Sequence, residues 1–305
     1  MDLHDIAAME PGVLRTWLPG WMVAHVEEDG RSAERMAAID AELTRTGDAE
    51  LRALRTRFAR AGDAYRFHDA DPVARRLLRT LLSTVVRDAV LDGRDHLARF
   101  LREGPPRRMI VGNHLAYVDT AVTGHVLAES GLSPLAERLV AVAGPKVYSD
   151  PWRRLASLGM HTRKTAQSTR VATEQAALSP RAVAAIAMET VADVARCMDE
   201  GYVVVLYPEG TRSRDGRLGA FLRAAERYLT LPDVQILPLG LTGTDSILPR
   251  EASRMRPGPV RLAFGPPVAG GAADARGSLL ARVHAAVAER LPPAHRPAAH
   301  GRAVL

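Results

Sequence analysis

Two short segments carry the residue types that do chemistry. The first is Gly112-Asn113-His114-Leu115-Ala116-Tyr117-Val118-Asp119, between an apolar run and what reads as a helix. His114 and Asp119 are five positions apart. On one regular helix their side chains would lie about 140° apart and would not meet. With His114 in a strand-end turn and Asp119 in the first helical turn, the carboxylate reaches back to the imidazole. Asp119 then keeps one ring nitrogen as N–H and leaves the other free as a base. That pairing suits removal of a proton from an alcohol as it attacks an acyl carbon such as that of a thioester. The competing reading is a strand-end histidine that caps a helix.

The second segment, Tyr207-Pro208-Glu209-Gly210-Thr211-Arg212-Ser213-Arg214, also follows an apolar run. Gly210 allows close backbone approach, and Thr211, Ser213 and backbone N–H groups can donate to phosphate oxygens. Arg212 and Arg214 add charge and fork-shaped donors. The spacing is not that of a Walker-type phosphate loop. A polar turn between strand and helix is the plainer alternative.

The elements that must hold these segments read as alternating strands and helices. Strands are expected at Arg108–Gly112, Leu139–Ala143, Tyr202–Tyr207, Val234–Gly240 and Val260–Phe264, with an extended segment over Gly159–Arg163. Helices are expected at Asp119–Glu129, Pro151–Leu158, Pro180–Glu200, Gly219–Leu229 and Ser278–Glu289. That alternation predicts an α/β fold, a central mixed sheet flanked by helices on both faces. Residues 1–104 read as all-helical, and Gly104-Pro105-Pro106 marks the expected boundary to an α/β domain over 105–305. Within the first region, helices are expected near Val13–Val26, broken or bent at Pro19-Gly20, near Ser32–Thr46 and near Asp48–Arg60. The clearest start is Asp71-Pro72, a cap followed by proline at the first helical position. The helix after it has Leu77, Leu78, Leu81 and Leu82 interleaved with Arg75, Arg76, Arg79 and Arg87. It fits either a helix docked on the catalytic domain or a basic membrane-surface helix.

The 305 residues suffice for a sizeable core. Residues 1–104 hold 16 Arg against 18 Asp and Glu, whereas residues 105–305 hold 25 Lys and Arg against 17 acids. The basic half carries both segments, which suits a phosphate-bearing substrate, an acidic carrier protein or an anionic membrane surface. Nucleic acid is not an expected partner, because the basic residues are dispersed and no recognition motif appears. Cys197, the single cysteine, reads as a buried thiol and excludes an intrachain disulfide. No run reaches the ~18 apolar residues of a membrane span. The N-terminus resembles neither a secretory signal nor a transit peptide. The expectation is a cytoplasmic protein, soluble or peripherally attached at the inner face of the cell membrane.

Together the segments resemble the glycerophospholipid acyltransferase superfamily, which acylates glycerol 3-phosphate and 1-acylglycerol 3-phosphate. Asn113, His114 and Asp119 match its N-H-x4-D motif, and Tyr207 through Ser213 match its [FY]-P-E-G-T-R-S motif. Gly144-Pro145-Lys146, with Pro151 and Gly159, is similar to its lysine-proline-glycine stretch. Leu158 through Arg163 is similar to the second motif, and Ile236 through Gly240 to the fourth. The resemblance covers about residues 105–270. It implies His114 as general base, oriented by Asp119. It implies that Asn113, Lys146, Arg163, Glu209, Gly210, Thr211 and Arg212 bind the substrate, Arg163 and Arg212 chiefly through its phosphate. It also implies direct attack without a covalent acyl-enzyme, no metal and no cofactor. The co-substrate would be acyl-CoA or an acyl carrier protein.

The chain departs from the family pattern at two places. His161-Thr162-Arg163-Lys164 replaces the usual apolar–apolar–[DN]-R, with His161 read as a bystander, and Phe221-Leu222-Arg223-Ala224 lacks the usual lysine and glycine. The polar stretch Thr165–Pro180 is longer than usual and reads as a lid or a partner-docking loop. These changes bear on the acceptor, so acylation of a glycolipid, an ornithine lipid or a natural-product alcohol stands as the alternative. A non-catalytic lipid adaptor is a further alternative, disfavoured by the intact His114 and Asp119. Plastid glycerol 3-phosphate acyltransferases, with their helical N-terminal domain, resemble the overall layout.

Overall fold

The computed structural model describes residues 3–166, 178–271 and 277–298. Residues 167–177, most of the expected lid or docking loop, lie outside the described residues. The chain begins with α1 (Leu3–Ala8), α2 (Pro11–Val23), α3 (Ser32–Thr44) and α4 (Asp48–Arg60). Then come β1 (Phe67–His68), α5 (Pro72–Val85), β2 (Val86–Asp92) and α6 (Arg94–Arg102). The second part of the chain follows with β3 (Arg107–Gly112), α7 (Asp119–Glu129), α8 (Ser133–Ala136), β4 (Leu139–Ala143), α9 (Pro151–Leu158) and β5 (His161–Lys164). It continues with α10 (Pro180–Asp199), β6 (Val203–Leu206), α11 (Glu226–Leu229), β7 (Val234–Thr242) and α12 (Thr244–Ile247). Last are β8 (Gly258–Phe264), β9 (Val268–Ala269) and α13 (Ser278–Arg290).

The strands form one sheet in the order β1-β5-β4-β6-β3-β7-β8-β2, with β9 paired to β7. Pairing is parallel from β5 through β4, β6 and β3 to β7 and between β8 and β2, and antiparallel elsewhere. The expected mixed α/β fold is what forms. Its central strands are apolar on both faces because both faces are covered. Ile110 of β3 and Val205 of β6 pack toward the N-terminal helices, α7 and α9. Their neighbours Met109, Val111, Val204 and Leu206 pack toward α10 and α13. Cys197 of α10 is buried near this second layer, and burial pushes its thiol up to about 11.

The all-helical expectation for residues 1–104 is corrected at two places. Residues 67–68 and 86–92 are strands at opposite edges of the sheet. One core also runs from Ile6 through Phe264, across the expected boundary at Gly104. α2 runs through Pro19 without breaking, its side chains Leu14, Leu18 and Met22 being buried together. α5 is a core helix and not a membrane-surface one. Asp71 caps it through the N–H groups of Val73 and Ala74, at 2.9 and 3.0 Å. Leu77, Leu81 and Leu82 are almost fully buried. Its basic residues are held internally: Arg76 by Glu42 at 2.6 Å and Arg79 by Glu137 at 3.6 Å. Arg87, just beyond it on β2, pairs with Asp29 at 2.8 Å.

The helix expected over Gly219–Leu229 shrinks to a 3-10 turn at 223–225 and α11. The preceding N–H groups have tertiary partners instead. Leu218 donates to His295 O, Gly219 to Glu209 and Leu222 to Pro208 O.

Burial holds the imidazoles of His25, His68, His125, His161 and His284 below their ordinary pKa. Each is a base that the unfolded chain protonates more readily. Their contribution is therefore present above about pH 6.5 and is lost as the pH falls through the depressed folded values. Glu34, bonded to Arg31, and Glu50, bonded to the Gly47 N–H and Arg76, sit below the usual carboxylate range. Such groups titrate in more acid solution, below the range in which the histidines charge. We expect Tm to be flat above pH 7 and to drop across that range, with a shallower drop in His125→Gln. A Tm independent of pH down to 5 would contradict this.

Candidate active site

β3 and β6 are parallel neighbours with Val111 opposite Leu206. Their C-terminal ends therefore deliver His114 and Tyr207 to the same place, as expected for ligand sites in such sheets. His114 Nδ1 lies 2.8 Å from Asp119 Oδ2. Asp119 is almost fully buried at the first position of α7, and it also accepts from the N–H of Leu115 at 2.7 Å and of Ala116 at 3.0 Å. The carboxylate thus ties down the turn that carries the histidine. It also imposes a tautomer: with Nδ1 donating to Asp119, Nε2 is the unprotonated nitrogen. Tyr207 stacks on the imidazole, ring centroids 4.7 Å apart and planes 14° from parallel. Its hydroxyl lies 3.1 Å from Thr120 Oγ1. Burial raises the phenol well above its ordinary pKa, so the stacked ring is neutral.

The second segment grips the backbone of His114 from both sides. Glu209 Oε1 accepts from the His114 N–H at 2.7 Å, and the Ser213 N–H donates to His114 O at 2.7 Å. Glu209 Oε2 accepts from the Gly219 N–H at 2.8 Å. Burial pushes the Glu209 carboxyl above the ordinary carboxylate range, against the pull of those two N–H groups. Gly210 has φ +67°, and a Cβ there would run into Leu222 Cδ1. Glu209→Gln keeps the shape but turns one accepting oxygen into a donor, so one N–H loses its partner. We expect kcat to fall roughly tenfold or more, the scale of one buried hydrogen bond to a charged group. Steady-state kinetics with thermal melting checks this, and an unchanged kcat would show that the grip on His114 is dispensable.

His114, Thr120 and Tyr207 form part of the wall of a cavity of about 300 Å³. Much of the remaining wall is small or apolar, including Ala141, Ala143, Trp152, Ala156, Met160 and Leu206. Lys146, Arg153 and Arg227 also contribute to the lining. Trp152 is backed by α2, with Trp21 6.0 Å and His25 4.9 Å from it, centroid to centroid.

The remaining expected substrate-binding residues separate into groups. Lys146 and Gly210 line the cavity. Arg212 lies beside it, its guanidinium 3.9 Å from the centroid of the cavity residue Tyr117. Thr211 is exposed to solvent outside the lining. Asn113 is not available to a substrate. It is buried, donating to Leu241 O at 2.9 Å and accepting from Leu241 N at 2.8 Å, and so joins the turn to β7. Glu209 holds backbone, as described above. Arg163 does not reach the cavity either. Side chains alternate along β5, and Thr162 takes the cavity side. Arg163 is buried with its Nε 2.6 Å from Asp193 of α10, and it also donates to Lys164 O. Sequence reasoning missed Arg153, whose guanidinium lies 4.6 Å from the Tyr117 ring centroid, and the stacking role of Tyr207. Among the described residues, no three His, Cys, Asp or Glu side chains converge as a metal site.

Residues 100–242, which contain both loops and all the strands that carry them, match the family model described as Acyltransferase. Over these residues the chain is similar to acyltransferases. Two proteins similar to the chain are plant proteins named as chloroplastic 1-acyl-sn-glycerol-3-phosphate acyltransferases. Those of Arabidopsis thaliana and Brassica napus are each 39% identical over 83 residues, 26% of this chain. The aligned stretch spans about a quarter of each relative, 23% and 24% of their lengths. The crystal structure of the 1-acyl-sn-glycerophosphate acyltransferase PlsC of Thermotoga maritima aligns with 93% of this chain and 91% of its own. That alignment has 16% identity and a TM-score of 0.44. No described helix is long and apolar enough to cross a membrane.

Proposed function

We propose that the chain transfers a fatty acyl group from an acyl thioester to the free hydroxyl of 1-acylglycerol 3-phosphate. The donor is acyl-CoA or an acyl carrier protein. The observation that carries this reading is the His114–Asp119 pair, 2.8 Å apart, at the wall of a largely apolar cavity with Lys146 and Arg153 in its lining. The apolar walls suit an acyl chain and the cations suit the acceptor's phosphate. The relatives' names point to the same acceptor.

In the proposed reaction, His114 Nε2 takes the hydroxyl proton as the oxygen attacks the thioester carbon. Collapse of the tetrahedral intermediate breaks the C–S bond. The imidazolium, stabilised by Asp119, returns the proton to the departing thiolate. No covalent acyl-enzyme is needed, and no metal or cofactor takes part. The protein acts from the cytoplasm, peripherally at the inner face of the cell membrane. Co-sedimentation with anionic vesicles tests that placement, and full recovery in the supernatant at low salt would oppose it.

The decisive assay offers acyl-CoA and acyl carrier protein donors against three acceptors: glycerol 3-phosphate, 1-acylglycerol 3-phosphate and uncharged 1-acylglycerol. Thiol release is expected with 1-acylglycerol 3-phosphate. If both phosphate acceptors fail while another alcohol is acylated, the acceptor is wrong and the chemistry stands.

A further inference from the structure

His114 is held through its backbone as well as through its ring. Its N–H donates to Glu209 Oε1, and its carbonyl accepts from the Ser213 N–H, both at 2.7 Å. That second donor belongs to the peptide unit between Arg212 and Ser213. A trans peptide is planar, and its C=O and N–H point in opposite directions. The N–H end meets His114. The carbonyl end is Arg212 O, and Arg250 Nη1 donates to it at 2.9 Å. The same nitrogen lies 3.5 Å from Ser213 O. One peptide therefore joins a guanidinium to the backbone of the proposed base.

Arg250 belongs to neither loop. It follows α12, in a turn closed by the Ala252 N–H donating to Pro249 O at 3.0 Å. The loop after β6 ties that turn down in return, since Arg212 Nη1 donates to Arg250 O at 2.9 Å. The two reciprocal bonds fix Arg250 against the peptide it donates to. Its Nε lies 3.3 Å from Glu251, whose side chain is 90% exposed, so that pair is a solvated one of little weight. Leu248, two residues earlier, lines the cavity, but Arg250 is not among the lining residues. Its place is therefore against the loop and not against a substrate. A charged donor on a peptide carbonyl polarises the unit and makes its N–H a stronger donor. The bond from Ser213 N to His114 O tightens accordingly. His114 is then fixed at three points: its N–H by Glu209, its carbonyl by Ser213 and its ring by Asp119. Such fixing matters, because a displacement of about 1 Å at a reacting group can cost about 10²-fold in rate.

We infer that Arg250 is a positioning residue for His114, acting through the peptide between Arg212 and Ser213. It touches neither the substrate nor the reacting atoms. The inference rests on the reaction proposed above, in which His114 is the base.

Arg250→Met keeps the stem and removes every donor. Steady-state kinetics are measured with 1-acylglycerol 3-phosphate and with uncharged 1-acylglycerol. The variant's kcat should fall by about threefold to tenfold with whichever of them is acylated, the scale of one net hydrogen bond. KM should stay within about twofold of wild type, because the loss arises as the proton moves and not as substrate binds. Arg250→Lys, which offers a single charged donor to Arg212 O, should recover part of the rate. Amide hydrogen exchange, followed by NMR, reads the link without turnover. The Ser213 N–H should exchange faster in Arg250→Met than in wild type, and the Ala116 N–H, which bonds to Asp119, should not. The Arg250 side chain is 32% exposed, so both variants should fold, and melting curves taken alongside check this. A rise in KM confined to the phosphate acceptor, with kcat unchanged, would mean that Arg250 serves the Arg212 side chain, and the inference would fall. An unchanged kcat in Arg250→Met, or a Ser213 N–H that exchanges no faster, overturns it too, even if the wild type acylates the phosphate acceptor. Wild-type-like turnover in His114→Ala would instead overturn the proposed reaction, and the role of Arg250 with it.

Discussion

His114→Ala is expected to lower kcat by about 10²–10⁴-fold, the range that a positioned general base supplies. KM for either substrate should change far less, because the imidazole makes its contribution as the proton moves. Stability should hardly change. The side chain is 19% exposed, and among the described residues it hydrogen-bonds to Asp119. Without the ring Asp119 still accepts from Leu115 N and Ala116 N, so no buried charge is stranded. Removal of the ring leaves a slot between Tyr207 and Asp119, the two groups that hold it by stacking and by hydrogen bonding. Added imidazole should therefore restore part of the lost rate in His114→Ala, and little in wild type. Thermal melts alongside kinetics with and without imidazole decide this. A variant that keeps more than a tenth of wild-type kcat would remove His114 from the reaction.

The parts of the site written locally were legible, and those that depend on distant contacts were not. The apolar runs ending in Val111 and Leu206 carry a strong strand signal. The motif after each one fell at a strand end, and parallel pairing made the two ends neighbours. The turn holding His114 could be inferred because five residues on one helix would have pointed the two side chains apart. Strand β2 gave no such signal. Its residues Arg87 to Val90 are exposed at the sheet edge, so the apolar alternation of a half-buried strand is missing. β1 is two residues long. The position of Arg163 depended on which face of β5 turned to the cavity. Alternation fixes that Thr162 and Arg163 point apart, but only α10, bringing Asp193, decides which points where. Asn113 behaves similarly. Its amide pairs with the backbone of Leu241, 128 positions away, and nothing near it in sequence announces that partner. The arginines of α5 fit a docked helix or a membrane-surface one, and the docked reading holds because Glu42, Asp29 and Glu137 come from elsewhere to pair with them or with their neighbour Arg87.

Asp119→Asn should slow the reaction for a different reason, by removing charge and not the base. The carboxylate accepts from three donors, and they are not shared evenly. His114 Nδ1 and Leu115 N both meet Oδ2, at 2.8 and 2.7 Å, while Ala116 N lies 3.0 Å from Oδ1 and 3.1 Å from Oδ2. An asparagine has one accepting oxygen and one donating nitrogen. With its oxygen in the place of Oδ2, it still accepts from all three donors, and its nitrogen faces only the N–H of Ala116. In the flipped orientation the nitrogen faces both His114 Nδ1 and Leu115 N, and a buried N–H is left without an acceptor at a cost of about 1–3 kcal/mol. The first orientation therefore wins and His114 keeps its proton on Nδ1. What the variant loses is the negative charge that stabilises the imidazolium formed as the hydroxyl gives up its proton. A hydrogen bond to a charged acceptor exceeds one to a neutral acceptor by about 1–2 kcal/mol, so kcat should fall by roughly tenfold or more. Melting temperature should stay close to wild type. Asp119→Ala, which abandons the backbone N–H groups as well, should lower it. Because Asp119 acts through His114, Asp119→Asn combined with His114→Ala should be no slower than His114→Ala alone. Nitrogen NMR of the ring should find the proton on Nδ1 in wild type and in Asp119→Asn. Near-wild-type turnover in Asp119→Asn would mean that the charge is dispensable and that Asp119 serves mainly to hold the turn.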